Sequence, residues 1–309
     1  MTRNYYRPEG LTFMTAENRE VLYSQVSLEK AAASGKTVEA VATLCDPDMS
    51  LNVDLGVMRG YIEKEEAVMP TNGSIKDIAV ITRVGKPVCF KILGFETIHG
   101  ETVARLSRRA AQEECLKNRL AYLVPGDIIE SKVTHLEPFG AFVDIGCGIV
   151  SLMSIDCISV SRISHPRDRF RPGMFIKCVI KSIENGGERI YVSHKELLGT
   201  WEENVNAYRI GDTVVGTVRS IESYGIFVEL TPNLAGLAEY REGISQSDTA
   251  AVYIKNIIPE KMKVKLVIVD SHADDVQNYD FTYYETGTHI DSWIYSPSVC
   301  PKTVRTDFN

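Results

Sequence analysis

Gly126-Asp-Ile-Ile-Glu-Ser-Lys-Val-Thr-His-Leu-Glu-Pro-Phe139-Gly-Ala-Phe142-Val-Asp-Ile145 aligns without a gap on Gly211-Asp-Thr-Val-Val-Gly-Thr-Val-Arg-Ser-Ile-Glu-Ser-Tyr224-Gly-Ile-Phe227-Val-Glu-Leu230. A self-match at a fixed offset is the signature of a repeated structural module. The register carries on through Leu152 and Leu237, so the likeness spans three successive strands rather than one turn. In the middle copy Ile129, Ser131 and Val133 alternate with Glu130, Lys132 and Thr134, and Ala141, Val143 and Ile145 alternate with Phe142 and Asp144. That period of two marks half-buried β-strands. Ile176, Cys178 and Ile180 then alternate with Lys177, Val179 and Lys181, and Ile190 and Val192 with Arg189, Tyr191 and Ser193, which makes five strands. The non-alternating stretch from Ile158 to Gly173, with Pro166 and Pro172, suits a short helix and loop.

A weaker third copy precedes these two. The first two strands are predicted at Val38–Leu44 and Leu51–Gly56, the third strand and turn at Gly60–Ala67, and the last two strands at Val88–Leu93 and Thr102–Ser107, with Met49 and Asn52 where Phe139 and Phe142 stand in the middle copy. Ser107–Leu120 and Ser193–Asn204 are rich in helix formers and read as helical linkers. One N-terminal helix is predicted over Thr15–Ser34, capped by Thr15 and stopped by Gly35. The expected fold is mostly β, with three tandem five-stranded barrels joined by short helical linkers, the first barrel degenerate. The expected boundaries are a helical arm over 1–35, modules over 36–110, 124–195 and 210–309, and linkers over 111–123 and 196–209. Tyr283–Asn309 is expected to complete or buttress the third barrel.

The hydrophobic and charged fractions, 44% and 24%, are those of a globular protein with a buried core. Without an apolar leader after Met1 or any run of eighteen apolar residues, the expectation is a cytoplasmic protein with no membrane contact. The seven cysteines are scattered, never paired as C-x-x-C, and read as small core residues. A net charge of −7 excludes a protein that coats nucleic acid by charge alone. Any binding of RNA must be local, by stacking and a basic patch on one face.

Such a face is legible. The aliphatic residues fill the inward positions, so alternation turns Phe142 and Phe227 outward, with Phe139 and Tyr224 three residues earlier across Gly140 and Gly225. Two outward rings at that spacing can stack successive unpaired bases. Lys132, Lys177, Lys181 and Arg189 share the outward register of the middle module, and Arg167 and Arg169 lie in its loop, where they could meet phosphates. The candidate RNA-binding residues are Phe139, Phe142, Lys132, Ser154, Lys177, Arg189 and Tyr191 in the middle module, and Tyr224, Phe227 and Arg219 in the last.

Phe139-Gly-Ala-Phe-Val-Asp-Ile-Gly, Tyr224-Gly-Ile-Phe-Val-Glu-Leu, Gly236-Leu and Arg189-Ile-Tyr-Val-Ser resemble the S1 domain of bacterial ribosomal protein S1 and related RNA-processing factors. The likeness covers Val124 to about Asp270 well and Val38–Arg109 loosely, and the whole arrangement looks like a short bacterial ribosomal protein S1 homologue. The resemblance implies OB-fold barrels that bind single-stranded RNA, mRNA at the small ribosomal subunit, through outward aromatics and an arginine on the last strand. It also implies that residues 36–110 dock to small-subunit proteins. Members usually carry a histidine on the third strand, where this chain has Ser154 and Glu239. A glutamate repels phosphate, so the last module is expected to bind RNA weakly. Asp270 matches the acidic position before the last strand, yet no arginine follows it as Arg189 follows Glu184.

No cofactor is expected and no catalysis. The six histidines are dispersed, and no H-x-x-x-H, P-loop or G-x-S-x-G occurs. The competing reading is a protein-interaction scaffold or ribosome-associated regulator with weak RNA binding, favoured by the acidic net charge.

Overall fold

The computed structural model describes residues 6–70, 73–187, 189–273 and 280–308. Helices α1 (Ala16–Leu22) and α2 (Gln25–Ala33) lead into β1 (Val38–Cys45), β2 (Leu51–Asp54), β3 (Arg59–Ile62), α3 (Lys64–Ala67), α4 (Asp77–Ile81), β4 (Pro87–Ile98) and β5 (Glu101–Ser107). Helix α5 (Arg108–Asn118) precedes β6 (Ile128–Glu137), β7 (Gly140–Asp144), β8 (Val150–Ser154), β9 (Phe175–Glu184) and β10 (Arg189–Ser193). After α6 (Trp201–Val205) come β11 (Thr213–Glu222), β12 (Gly225–Thr231), β13 (Leu234–Ala238), β14 (Thr249–Ile258) and β15 (Lys263–His272), then the hairpin β16 (Ser292–Ile294) and β17 (Arg305–Asp307). Each set of five strands closes into a barrel. In each barrel the third strand pairs parallel with the fifth, which is the pairing that shuts an OB-fold. The alternating apolar residues fill the interiors: Val53, Phe90 and Leu106 in the first, Val133, Val143 and Ile180 in the second, Val228, Val252 and Leu266 in the third.

Two local expectations are corrected. The N-terminal helix is broken at Ser24, which is extended (φ −152°) and caps α2 by accepting from the Ser27 amide. A serine that can bond the backbone ahead of it starts a new helix rather than continuing the old one. The second linker is broken at Gly199 (φ +84°) into a 3-10 turn, Lys195–Leu198, and α6, whose cap Thr200 forms a capping box with Glu203.

The strands and their connections group into two compact units, one of Met1–Leu123 with Glu130–Lys132 and Asp144–Val150, the other of Val124–Ile129, Val133–Val143 and Ser151–Asn309. In the first unit Glu9 sits among buried groups. Its carboxylate accepts from Arg108 Nε at 2.6 Å and Nη2 at 3.0 Å, and its amide donates to Asp144 Oδ2 at 2.8 Å. Burial alone would raise the Glu9 carboxyl, but Arg108 overrules this and holds it below the ordinary value. Asp144 also receives the amides of Gly146 and Gly148. A side chain on Gly148 (φ +73°) would fall 1.7 Å from Arg108 Nη2, so this turn needs glycine twice over.

In the second unit the tail does more than buttress the third barrel. Trp293 and Tyr295 enter that barrel's core cluster, and Tyr295 OH donates to the Asn233 carbonyl at 2.5 Å. The preceding stretch reaches the second barrel: Ile128 and Ile290 amides donate to Thr288 and Gly126 carbonyls, both at 2.9 Å, and Tyr284 to Leu197 at 3.0 Å. Phe281 and Tyr283 pack edge-on against His194.

These buried groups set opposite responses to pH. Burial raises Glu39 to about 7 and Asp144 to about 6. Their folded forms hold protons that the unfolded chain releases, so the first unit loses stability as pH rises from about 4.5 to 7. Burial lowers His194 to about 4, so the second unit loses stability as pH falls from 6.5 toward 4. The exposed pair of His289 and Asp127 acts in the other sense but is screened by solvent. Acidification from pH 7 to 5 is therefore expected to raise the melting temperature of the first unit and lower that of the second. Both tryptophans, Trp201 and Trp293, lie in the second unit, so their fluorescence follows it alone while circular dichroism follows both. Movement of both units in one direction would refute this assignment.

Candidate nucleic-acid interface

The first two rings of the site stand at the β6–β7 turn. Phe139 is 56% exposed, Phe142 is half-buried, and their ring centroids are 6.1 Å apart, edge to face. The third barrel repeats the pair: Tyr224 is 67% exposed and lies 6.2 Å from Phe227 in the same geometry. Gly140 lets β7 approach β8, since a Cβ there would lie 2.3 Å from the Met153 carbonyl oxygen. Gly225 has the same function, with the Ala238 oxygen at 2.5 Å. The close approach lets the Ile155 amide bond the Phe139 carbonyl at 2.9 Å, which holds the rings beside Ser154 at the end of β8.

Strand pairing extends each ring pair into a row across the outer face. In the third barrel Phe227 pairs with Leu237 and Leu237 with Lys265; in the second Leu152 pairs with Tyr191. Arg189 is exposed two residues before Tyr191, on the same side of β10. The first barrel has Asn52, Tyr61 and Arg105 in this row, with Asn52 buried and donating to Asp46 at 2.6 Å, and the Tyr61 hydroxyl bonded to Glu96. It therefore lacks the ring pair, as expected.

His135 is a member that the alternation hid. Its ring stacks on Phe142 at 6.2 Å. The matching residue of the third barrel, Ser220, is the cross-strand partner of Phe227, just after a bulge between Val218 and Ser220. One inserted residue reverses the side on which later residues fall, so a reading by strict period two loses them. A bulge lies at the same place in the first barrel, between Ala42 and Leu44.

Several expected basic contacts are engaged elsewhere. Lys132 donates its ammonium to the Glu9 carbonyl at 2.8 Å rather than standing free beside the rings. Lys177 is half-buried over the Tyr283 ring, its Nζ 5.5 Å from the centroid. Arg219 is bonded twice to Glu229, at 2.9 and 3.1 Å, and Arg169 is buried on the same carboxylate. Lys181 donates to Cys157 Sγ at 2.9 Å. Asp270 lies within the last strand rather than before it, because a tight turn at Pro259–Lys261, closed by left-handed Met262 (φ 49°), starts β15 at Lys263. Exposed Lys263 and Lys265 thus hold the places of Arg189 and Tyr191. Glu239, expected to repel phosphate, has Lys255 at 3.7 Å.

Among the described residues no cluster of His, Cys, Asp or Glu is arranged to hold a metal, and no helix is long and apolar enough to cross a membrane. Closed five-stranded barrels carrying an outward ring pair on the second strand define a protein of tandem S1-type OB-folds. Residues 122–195 match the family model described as S1 RNA binding domain. The small ribosomal subunit protein bS1 of Staphylococcus epidermidis is 30% identical over 277 residues, covering 86% of this chain and 67% of that protein. The bS1 homolog of Bacillus subtilis is 33% identical over 175 residues, covering 55% of this chain and 45% of that protein. The bS1 of Staphylococcus aureus strain COL is 32% identical, covering 75% and 58%. The chain belongs to the bS1 family, and it spans about half to two thirds of the length of these relatives.

Proposed function

We propose that the chain binds single-stranded RNA on the outer faces of its second and third barrels and acts in translation, holding mRNA at the small ribosomal subunit. The observation that carries this reading is the recurrence of one edge-to-face ring pair, with an exposed leading ring, at the same place on two barrels. Bases stack on Phe139 and Phe142 with His135 as a third ring, and on Tyr224 and Phe227. Ser154 bonds a sugar or phosphate, and Arg189, Lys263 and Lys265 meet phosphates. The match of residues 122–195 to the S1 RNA binding domain supports the same assignment. The first barrel, with Asn52 in the place of a ring and exposed Ile78 and Ile81 on α4, contacts a small-subunit protein instead.

In the full chain, Phe142→Ala is expected to weaken binding of an oligouridylate by about 1–3 kcal/mol, roughly 5–150-fold, with little change in melting temperature. Fluorescence anisotropy and thermal circular dichroism measure the two effects. A steep fall in melting temperature with affinity intact would make Phe142 a packing residue and remove the stacking mechanism. Lys265→Ala is expected to reduce the slope of log affinity against log salt by about 0.7, the value for one phosphate contact on a single strand. Preference of the wild-type chain for duplex RNA would reject the reading, since paired bases cannot be splayed onto rings.

A further inference from the structure

One flank of the second barrel, within the first unit, is covered by a peptide. Lys132 donates to the Glu9 carbonyl at 2.8 Å, the Glu9 amide donates to Asp144 at 2.8 Å, the Cys147 amide donates to the Arg7 carbonyl at 2.9 Å, and Arg7 lies 3.6 Å from Glu130. The peptide turns at Pro8–Leu11, closed by a 3.1 Å bond, and presents the Glu9 carboxylate to Arg108, which is 1% exposed.

The repeat places Val215, Thr217 and Glu229 of the third barrel at the positions of Glu130, Lys132 and Asp144. Val215 is exposed and Thr217 half-buried, while Glu229 is buried beneath Arg169 and Arg219. They line a cleft of about 670 Å³ within the second unit, a volume in the range of ligand-binding clefts, roughly 300–1,000 Å³. Arg169 stands in this cleft as Arg108 stands in the first unit. It is 3% exposed, bonds Glu229 through Nη2 and the Asp168 carbonyl through Nη1, and its Nε is buried without a partner among the described residues. Arg219 shares the Glu229 carboxylate, so two guanidinium groups are matched by one acid. The Asp168 carboxylate is taken by the amides of Ser164 and His165, and Asp280 lies at the exposed rim. Around Arg108 two carboxylates, Glu9 and Asp144, face the guanidinium groups of Arg108 and Arg83, whereas Arg169 and Arg219 share the one carboxylate of Glu229.

We propose that this cleft docks a peptide turn of a protein partner, which presents a glutamate or aspartate to Arg169 as Glu9 is presented to Arg108. A peptide is favoured over RNA because the counterpart on the second barrel is a peptide. In addition, the carboxylates of Glu229 and exposed Asp280 oppose a row of phosphates more strongly than the single charge of one acidic side chain, and in the first unit Asp144 lies beside Glu9 and accepts its backbone amide.

The test uses the full chain and a fluorescent synthetic peptide copying Tyr6–Leu11, alone and carrying Glu9→Gln. Saturable binding is expected, weakened about tenfold or more by Glu9→Gln in the peptide, since a charge-assisted bond is worth about 1.5–3 kcal/mol. The chain variant Thr217→Trp, which fills the cleft from a half-buried position, is expected to abolish binding while melting as the wild type does. Oligouridylate affinity is expected to be unchanged by Thr217→Trp and by saturating peptide. Absence of peptide binding, equal affinity for the Glu and Gln peptides, or indifference to Thr217→Trp would each overturn the proposal. A fall in oligouridylate affinity in Thr217→Trp without peptide binding would overturn it in favour of RNA as the occupant. Failure of the wild-type chain to bind oligouridylate would sink the ring-face function and leave the peptide measurement standing.

Discussion

Glu9→Gln is expected to lower the stability of the first unit by about 3–5 kcal/mol, the usual loss when one partner of a buried ion pair is removed. Arg108 is 1% exposed and holds Glu9 through two bonds, so the substitution leaves a guanidinium in a low-dielectric interior with its counter-charge gone. A domain typically has only about 5–15 kcal/mol in hand, so a loss of this size brings the unit close to unfolding. Urea unfolding followed by circular dichroism measures it, with tryptophan fluorescence as the internal reference for the second unit. The double variant Glu9→Gln with Arg108→Met is expected to recover much of the loss, because removing both charges also removes the desolvation penalty. A single variant as stable as the wild type would mean that solvent reaches the pair and that the arm is not a structural part of the unit.

Trp293→Ala is expected to destabilise the second unit by about 3–5 kcal/mol, the usual cost of emptying a buried indole site. Trp293 is packed 5.5 Å from Tyr295 in the core cluster of the third barrel, although it belongs to a hairpin outside the barrel. The tail also bonds Gly126 and Ile128 at the start of the second barrel, so the loss should extend there. Hydrogen exchange is the discriminating measurement. The Ile128 amide, which donates to the Thr288 carbonyl, should lose protection together with amides of β11 to β15. A change below about 1 kcal/mol with Ile128 still protected would make the tail an ornament rather than a strap.

The ring pairs were legible because everything that orients them is local. Phe139, Gly140 and Phe142 lie within four residues, and a strand that buries Ala141 and Val143 must turn Phe142 the other way. His135 was lost for an equally local reason that composition does not announce: at its counterparts in the other two barrels, Ser220 and Leu44, the strand is bulged, and one bulged residue reverses the facing of its successors. The last strand of the third barrel was misplaced because Asp270 matched an acidic marker, while its true start depends on the turn at Pro259–Lys261. Once β15 begins at Lys263, the third barrel carries two exposed lysines on its ring face that the expectation of a weak module, drawn from Glu239, did not include.

By itself the sequence determined the three barrels, since period-two alternation and an ungapped repeat are properties of neighbours along the chain. It determined the places of the ring pairs for the same reason. The fate of the basic side chains was decided only by tertiary structure. The Lys132 ammonium meets a residue 123 positions away, the Lys177 ammonium lies over the ring of Tyr283, 106 positions away, and Arg169 meets a residue 60 positions away. A charge at an outward position is free or engaged according to what the folded chain lays over it. No pattern within a strand records that covering, because it depends on the path of an arm and a tail whose own sequences carry no periodicity and, for Arg169, on a strand of another barrel.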